Sequence, residues 1–222
     1  MSWSLTLCPP HLQHSDEVKL AKYRLSNGDN LTAVALLVEV DIGVQRLRFE
    51  LQWDNPAAGE DYLDGSCFLY AHNNFVKLVD FQHRHSGIEA RNDRGEYAVT
   101  HTGDRRRDGG WAHGIEVLTS AIPLHVTHLF FSLSAYNSPT IGVYPNPGVK
   151  IFEPLADGEV RDLGGYNIER AGDQQAVVMC AMYRGALGWR VAEVEQFCAG
   201  NAKVYAGILT TCAEVVTDGL LH

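Results

Sequence analysis

Residues 44–54 read VQRLRFELQWD. Leu47, Phe49, Leu51 and Trp53 alternate with Arg46, Arg48, Glu50 and Gln52. Successive side chains of a strand point to opposite faces, so strict period two predicts a strand with one buried and one wet face. Just upstream, LTAVALLVEVD (31–41) reads as a second strand, and DIGV (41–44) predicts a hairpin between the two. Short apolar runs follow at SCFLYA (66–71), FVKLVDF (75–81), YAVTH (97–101), GIEVL (114–118) and THLFFSLSAY (127–136). Three more lie at GVKIFEP (148–154), QAVVMCAMYR (175–184) and WRVAEVEQF (189–197). Clusters of Gly, Pro, Asn and Asp separate them, among them DNPAAGED (54–61), YPNPG (144–148) and ADGE (156–159). Roughly ten short strands divided by turn residues predict a mainly β fold, a two-sheet antiparallel β-sandwich.

Two segments break that rhythm. NAKVYAGILTTCAEVV (201–216) sets Val204, Ile208, Cys212 and Val215 at helical spacing, with Asn201 as the expected N-cap. SDEVKLAKYRLS (15–26) reads as a short helix or an irregular arm. No linker, repeat or low-complexity tract divides the chain, so 1–222 is read as a single domain with a divergent N-terminal arm over 1–30. Phe130 and Phe131 are neighbours on one predicted strand, so one is expected in the core and the other outward or under a packed helix.

The chain has 222 residues and a formal net charge of −9. An acidic surface argues against non-specific nucleic-acid binding, which needs clustered Lys and Arg. Arg105–Arg107 is the one dense basic run and is too short to serve as such a patch. Five cysteines, an odd number with no C-x-x-C spacing, read as reduced thiols of a cytosolic protein. No secretory signal opens the chain, and no apolar run approaches the roughly 18–20 residues of a membrane span. The glycines form neither a P-loop nor a dinucleotide fingerprint, and no G-x-S-x-G elbow is present. Nucleophilic catalysis is therefore weakly supported, and a hydrolase built on a Cys or His is the third class of reading.

Several aspartates sit in turn-rich stretches. Asp54, Asp61, Asp64 and Asp104 are open to two readings, as turn and capping residues or as oxygen ligands for a hard cation. His83 and His85, with His101 and His113, are similarly open: solvated histidines, or ligands for a borderline metal such as zinc.

The motifs QWD (52–54), YLDGSCFL (62–69), HTGD (101–104), IEVLTSAIP (115–123) and CAMYRGALGWRV (180–191) stand in an ordered series. In order and spacing they resemble the TerD family of tellurium-resistance and calcium-binding stress proteins, from about residue 30 to the C-terminus. The resemblance implies a β-sandwich with peripheral helices, no enzymatic activity, calcium held in loops at one end, and work within a multi-protein stress assembly. Carried across by position, it implies Asp54, Asp64 and Asp104 as metal ligands. Asp61 and Asp108 are weaker candidates, and Gln82 holds one surviving amide position.

The departures are as informative. Tyr62 stands where the family has the first Asp of DLDAS. Trp111 to His113 stand where it has an acidic run, and Arg105 and Arg107 add positive charge beside Asp104. A cation site weakened or lost is expected. The rival expectation is a metal-independent interaction module, in which the rebuilt 104–113 loop offers Arg105, Arg107 and Trp111 to an acidic partner, since Arg and Trp are enriched at binding hot spots.

Overall fold

In the computed structural model the alternation of residues 44–54 becomes a nine-residue strand whose four apolar side chains are completely buried. The structure describes residues 35–57, 59, 61–169, 171–218 and 221. The arm expected over 1–30, the run at 15–26 and Cys8 lie outside the described residues. In chain order the first strands are β1 (Leu36–Glu39), β2 (Arg46–Asp54), β3 (Leu63–Ala71), β4 (Asn74–Val79), β5 (Val99–Arg107) and β6 (Gly110–Leu118). There follow β7 (His128–Ala135), β8 (Gly148–Pro154), β9 (Val160–Asn167), β10 (Ala176–Gly185), β11 (Gly188–Cys198) and a helix, α1 (Ala206–Thr217).

The strands form two antiparallel sheets. One has the order β1-β11-β10-β7-β3-β4, and the other β5-β6-β2-β8-β9. Between them lies the main core, where Phe49 of β2 stacks on Phe131 of β7 at 3.8 Å between ring centroids. Phe130, the next residue, points the other way and packs with Tyr70, Phe68 and the helix residues Ile208, Cys212 and Val215. The helix thus covers the outer face of the six-stranded sheet. Cys67, Cys180, Cys198 and Cys212 are buried free thiols, and burial pushes all four up. A buried thiol with a raised pKa is a poor nucleophile.

Four local expectations are corrected. The hairpin between 31–41 and 44–54 does not form: β1 pairs with β11 in the other sheet, and the Asp41–Val44 turn carries the chain from sheet to sheet. Asn201 does not cap the helix. Its side chain accepts from the backbone N–H groups of Lys203 and Val204, closing a turn that ends before α1, whose N-cap is Tyr205. Val204 precedes the helix and is exposed. The third correction adds β9, an exposed strand containing Gly164 and Gly165 that shows no apolar period.

The fourth bears on function. Residues 101–110 are no loop. They are the second half of β5 and a two-residue turn, Asp108-Gly109, leading into β6. Gly109 has φ of +75°, and a Cβ added there would meet nothing within 4 Å, so only its backbone conformation demands glycine. Gly109→Ala is expected to lower stability by about 1–2 kcal/mol, the cost of a left-handed residue with a Cβ. A urea titration of the two proteins checks this, and an unchanged midpoint would contradict it.

Candidate functional site

The hairpin and the start of β3 meet at one end of the sandwich. A bulge at Thr102 resets β5, so that Asp104 lies opposite His113 and His101 opposite Ile115. Both imidazoles turn inward and are about 2% exposed. Gly65 of β3 passes directly under His113. A Cβ there would lie 2.8 Å from Leu51 Cδ1 and 2.9 Å from His113 Cβ, so this close approach requires glycine.

Backbone donors fix the ring tautomers. Gly65 N–H donates to His113 Nδ1 at 2.9 Å, and Gly103 N–H donates to His101 Nδ1 at 3.1 Å. A backbone N–H can only donate, so both Nδ1 atoms carry lone pairs. His101 Nε2–H then points to His113 Nδ1 at 3.3 Å, and His113 Nε2–H to Asp104 Oδ1 at 3.0 Å. Both Nδ1 lone pairs are taken by these donors, and neither ring has a free one for a metal. Burial, with His113 and Arg84 nearby, lowers the His101 pKa to about 4. The bond from His113 holds the exposed Asp104 carboxyl below its usual range.

Asp64 lies beside this chain of bonds. It is 7% exposed and accepts no hydrogen bond from any described residue. Burial raises its carboxyl to about 6, against the pull of His113 and with a push from Asp104 and Asp80. Asp80 is missed by the sequence motifs. It follows β4 directly and is almost fully buried. Its Oδ1 accepts from the N–H groups of Gln82 and His83, and its Oδ2 from the Tyr205 hydroxyl at 3.0 Å. An aspartate just past a strand, binding N–H groups two and three residues on, is an Asx-turn signal that the sequence does carry. Ser66 joins through Tyr205 at 3.2 Å. Lys203 is near enough to pull on Asp64, while its Nζ donates to Asn137 Oδ1 at 3.0 Å.

The other candidates are placed apart. Asp54 ends β2, where Oδ1 takes Arg107 Nη1 at 3.3 Å and Oδ2 takes Asn146 Nδ2 at 2.7 Å. Asp61 precedes β3 and accepts from Ser138 Oγ and from Tyr62 N–H, the latter at 2.8 Å. Asp108 is exposed at the hairpin tip. Gln82 gives its backbone N–H to Asp80. His83 pairs with Asp80 at 3.1 Å, whereas His85 stacks on Tyr97 at 4.2 Å, so the two do not converge. Arg105 and Arg107 lie on the outer face of the sheet, and Trp111 lies on the opposite face against Tyr62. Of the five predicted aspartates, the fold therefore gathers Asp64 and Asp104, and adds Asp80. Among the described residues no group of three or more His, Cys, Asp or Glu is placed to hold a metal ion.

A family model described as the TerD domain matches residues 22–206. No curated protein matches the chain. Among solved structures, a homologue of telluride resistance protein from Streptomyces coelicolor A3(2) is 19% identical with a TM-score of 0.54, covering 74% of this chain and 96% of its own. A protein of unknown function is 14% identical with a TM-score of 0.54, covering 75% of this chain and 97% of its own. At such identities the two likenesses concern the fold. Among the described residues no helix is long and apolar enough to cross a membrane.

Proposed function

The chain belongs to the TerD family, and from that premise we propose that it is a non-enzymatic, cytosolic stress-response protein, a binding component with reduced calcium affinity. The observation that carries the reading is the state of its carboxylates. Calcium takes six to eight oxygens, several from carboxylates, and affinity follows their number and charge. Of these candidate carboxylates, Asp64 is the buried one that accepts no hydrogen bond from any described residue. Asp104 is held by His113, Asp80 by Tyr205 and two backbone N–H groups, and Asp54 by Arg107 and Asn146. The Lys203 ammonium also occupies part of the field that a cation at Asp64 would use. The residues present do not fit a full calcium site.

Calorimetry tests this directly. Titration with calcium is expected to give at most one weak ion, with an affinity near the millimolar range of low-charge sites. Two ions bound at micromolar affinity would overturn the reading. Any calcium-dependent rise in melting temperature is expected to vanish in Asp64→Asn, because a ligand stabilises only the state that binds it.

A further inference from the structure

The outer face of the five-stranded sheet carries a groove of about 530 Å³. Four of the chain's 18 basic residues, Arg48, Arg105, Arg107 and Lys150, turn their side chains to it, against two carboxylates, Glu50 and Asp108, while Arg106 also borders it but turns its guanidinium over Trp111 on the opposite face. In a protein of net charge −9 this is a local reversal of sign. The floor is low because β6 presents Ala112 and Gly114 between the arginines of β5 and the side chains of β2.

The cations are held in place from below. Glu50, 7% exposed, is clasped by Arg105 Nη2 and lies 3.2 Å from Arg48 Nε. A guanidinium has five N–H donors, so the hydrogen bond of Arg105 and the ion pair of Arg48 to the same carboxylate hold the two side chains and leave donors for a ligand. Arg107 is steadied by Asp54 at 3.3 Å. Lys150 is exposed on β8, across from Glu50. Fixed donors lose less freedom on binding than mobile ones. Beyond the charges, Phe152 and the exposed Val160 give the groove an apolar end.

We propose that this groove docks an extended acidic segment of a partner protein, with carboxylates at alternate positions and one apolar residue. Arg105 and Arg107 are alternate residues of one strand, on one face and about 6.6 Å apart. An extended peptide spaces its own alternate side chains by the same interval. Phe152 and Val160 receive the apolar residue. A nucleic acid fits less well, because its regular phosphate charge is repelled by the acidic remainder of the surface and has no use for the apolar end. The proposal is independent of the cation reading, since the groove opens on the face of the sheet that points away from Asp64.

Fluorescence anisotropy tests it with a labelled peptide that alternates glutamate and serine and carries one leucine. Binding is expected to be at least about ten-fold tighter than that of the same peptide with glutamine for glutamate, and to weaken steeply with salt. Arg105→Gln combined with Lys150→Glu is expected to reduce affinity about ten-fold with the melting temperature unchanged. If loss of the Arg105–Glu50 contact disturbs folding, Lys150→Glu alone still applies, with an expected loss of about three-fold. Equal binding of the two peptides, undiminished binding by the folded variants, or tighter binding of a single-stranded oligonucleotide would each overturn the proposal.

Discussion

Asp64→Asn is expected to stabilise the fold at pH 7 by about 2–3 kcal/mol, the free energy of a two-unit difference in pKa. The buried carboxylate has no hydrogen-bond donor among the described residues, and burial raises its carboxyl from 3.8 to about 6. Above pH 6 the folded protein therefore holds a charge that the unfolded chain solvates better. An amide of the same shape removes that charge. The gain is expected to be pH-dependent. With the folded pKa above the unfolded one, the contribution of Asp64 is fully present below 3.8 and lost as pH rises through 6. The variant's advantage should shrink as the pH is lowered across that window.

His101 runs the other way in nearly the same window. Its folded pKa of about 4 lies below the ordinary 6.5. Its contribution is thus present above 6.5 and lost as pH falls through 4. In the native chain the two residues oppose each other between pH 4 and 6, and stability changes little from this pair. Asp64→Asn exposes the histidine alone, so the variant should lose about 3 kcal/mol between pH 6.5 and 4. Urea titrations at pH 7, 5.5 and 4 measure both effects. A variant no more stable than the native chain at pH 7, or a gain that is constant with pH, would refute the account.

How much of this was visible in the sequence follows from what each residue type can signal. Trp53, Leu51 and Phe49 announce a half-buried strand because their period is local. Phe130 and Phe131 announce two covered faces for the same reason. The sheet to which β1 belongs is not local information. Its neighbour β11 is some 150 residues away, and a short turn such as Asp41–Val44 serves a hairpin or a sheet change equally well. The strand at Gly103–Arg107 is hidden by its composition. It lies at the edge of its sheet, where charged side chains are favoured because they discourage edge-to-edge association. The Asp108-Gly109 pair is the readable sign, since Asp-Gly is a strong hairpin turn signal. The aspartates are legible as a set but not as individuals. Asp54, Asp61 and Asp104 differ from Asp64 only in the partners the fold brings to them, Arg107, Ser138 and His113. Those partners are 30 or more residues away, or nine in the closest case of His113 and Asp104, across a hairpin whose first strand carries no apolar period.

Trp53→Ala is expected to cost about 3–5 kcal/mol, the range for removing a large aromatic side chain from a packed core. That is a large share of the roughly 5–15 kcal/mol available to an ordinary domain. Trp53 is completely buried and joins the core to the site. Its ring lies 5.2 Å from that of His113 at a steep angle, and its Nε1–H donates to Asp61 O at 3.4 Å. Removing it leaves a cavity beneath His113 and a polar wall that admits water. The consequence reaches Asp64, whose raised pKa depends on the dryness of this corner. Its carboxyl should therefore titrate closer to 3.8 in the alanine variant, as carbon-detected NMR would show. Trp53→Phe separates packing from bonding. It refills much of the space and loses the donor, so a cost of about 1–2 kcal/mol is expected, with the Asp64 pKa still raised. If the alanine variant loses less than about 1 kcal/mol, or if it leaves the Asp64 titration where it was, Trp53 does not seal the site.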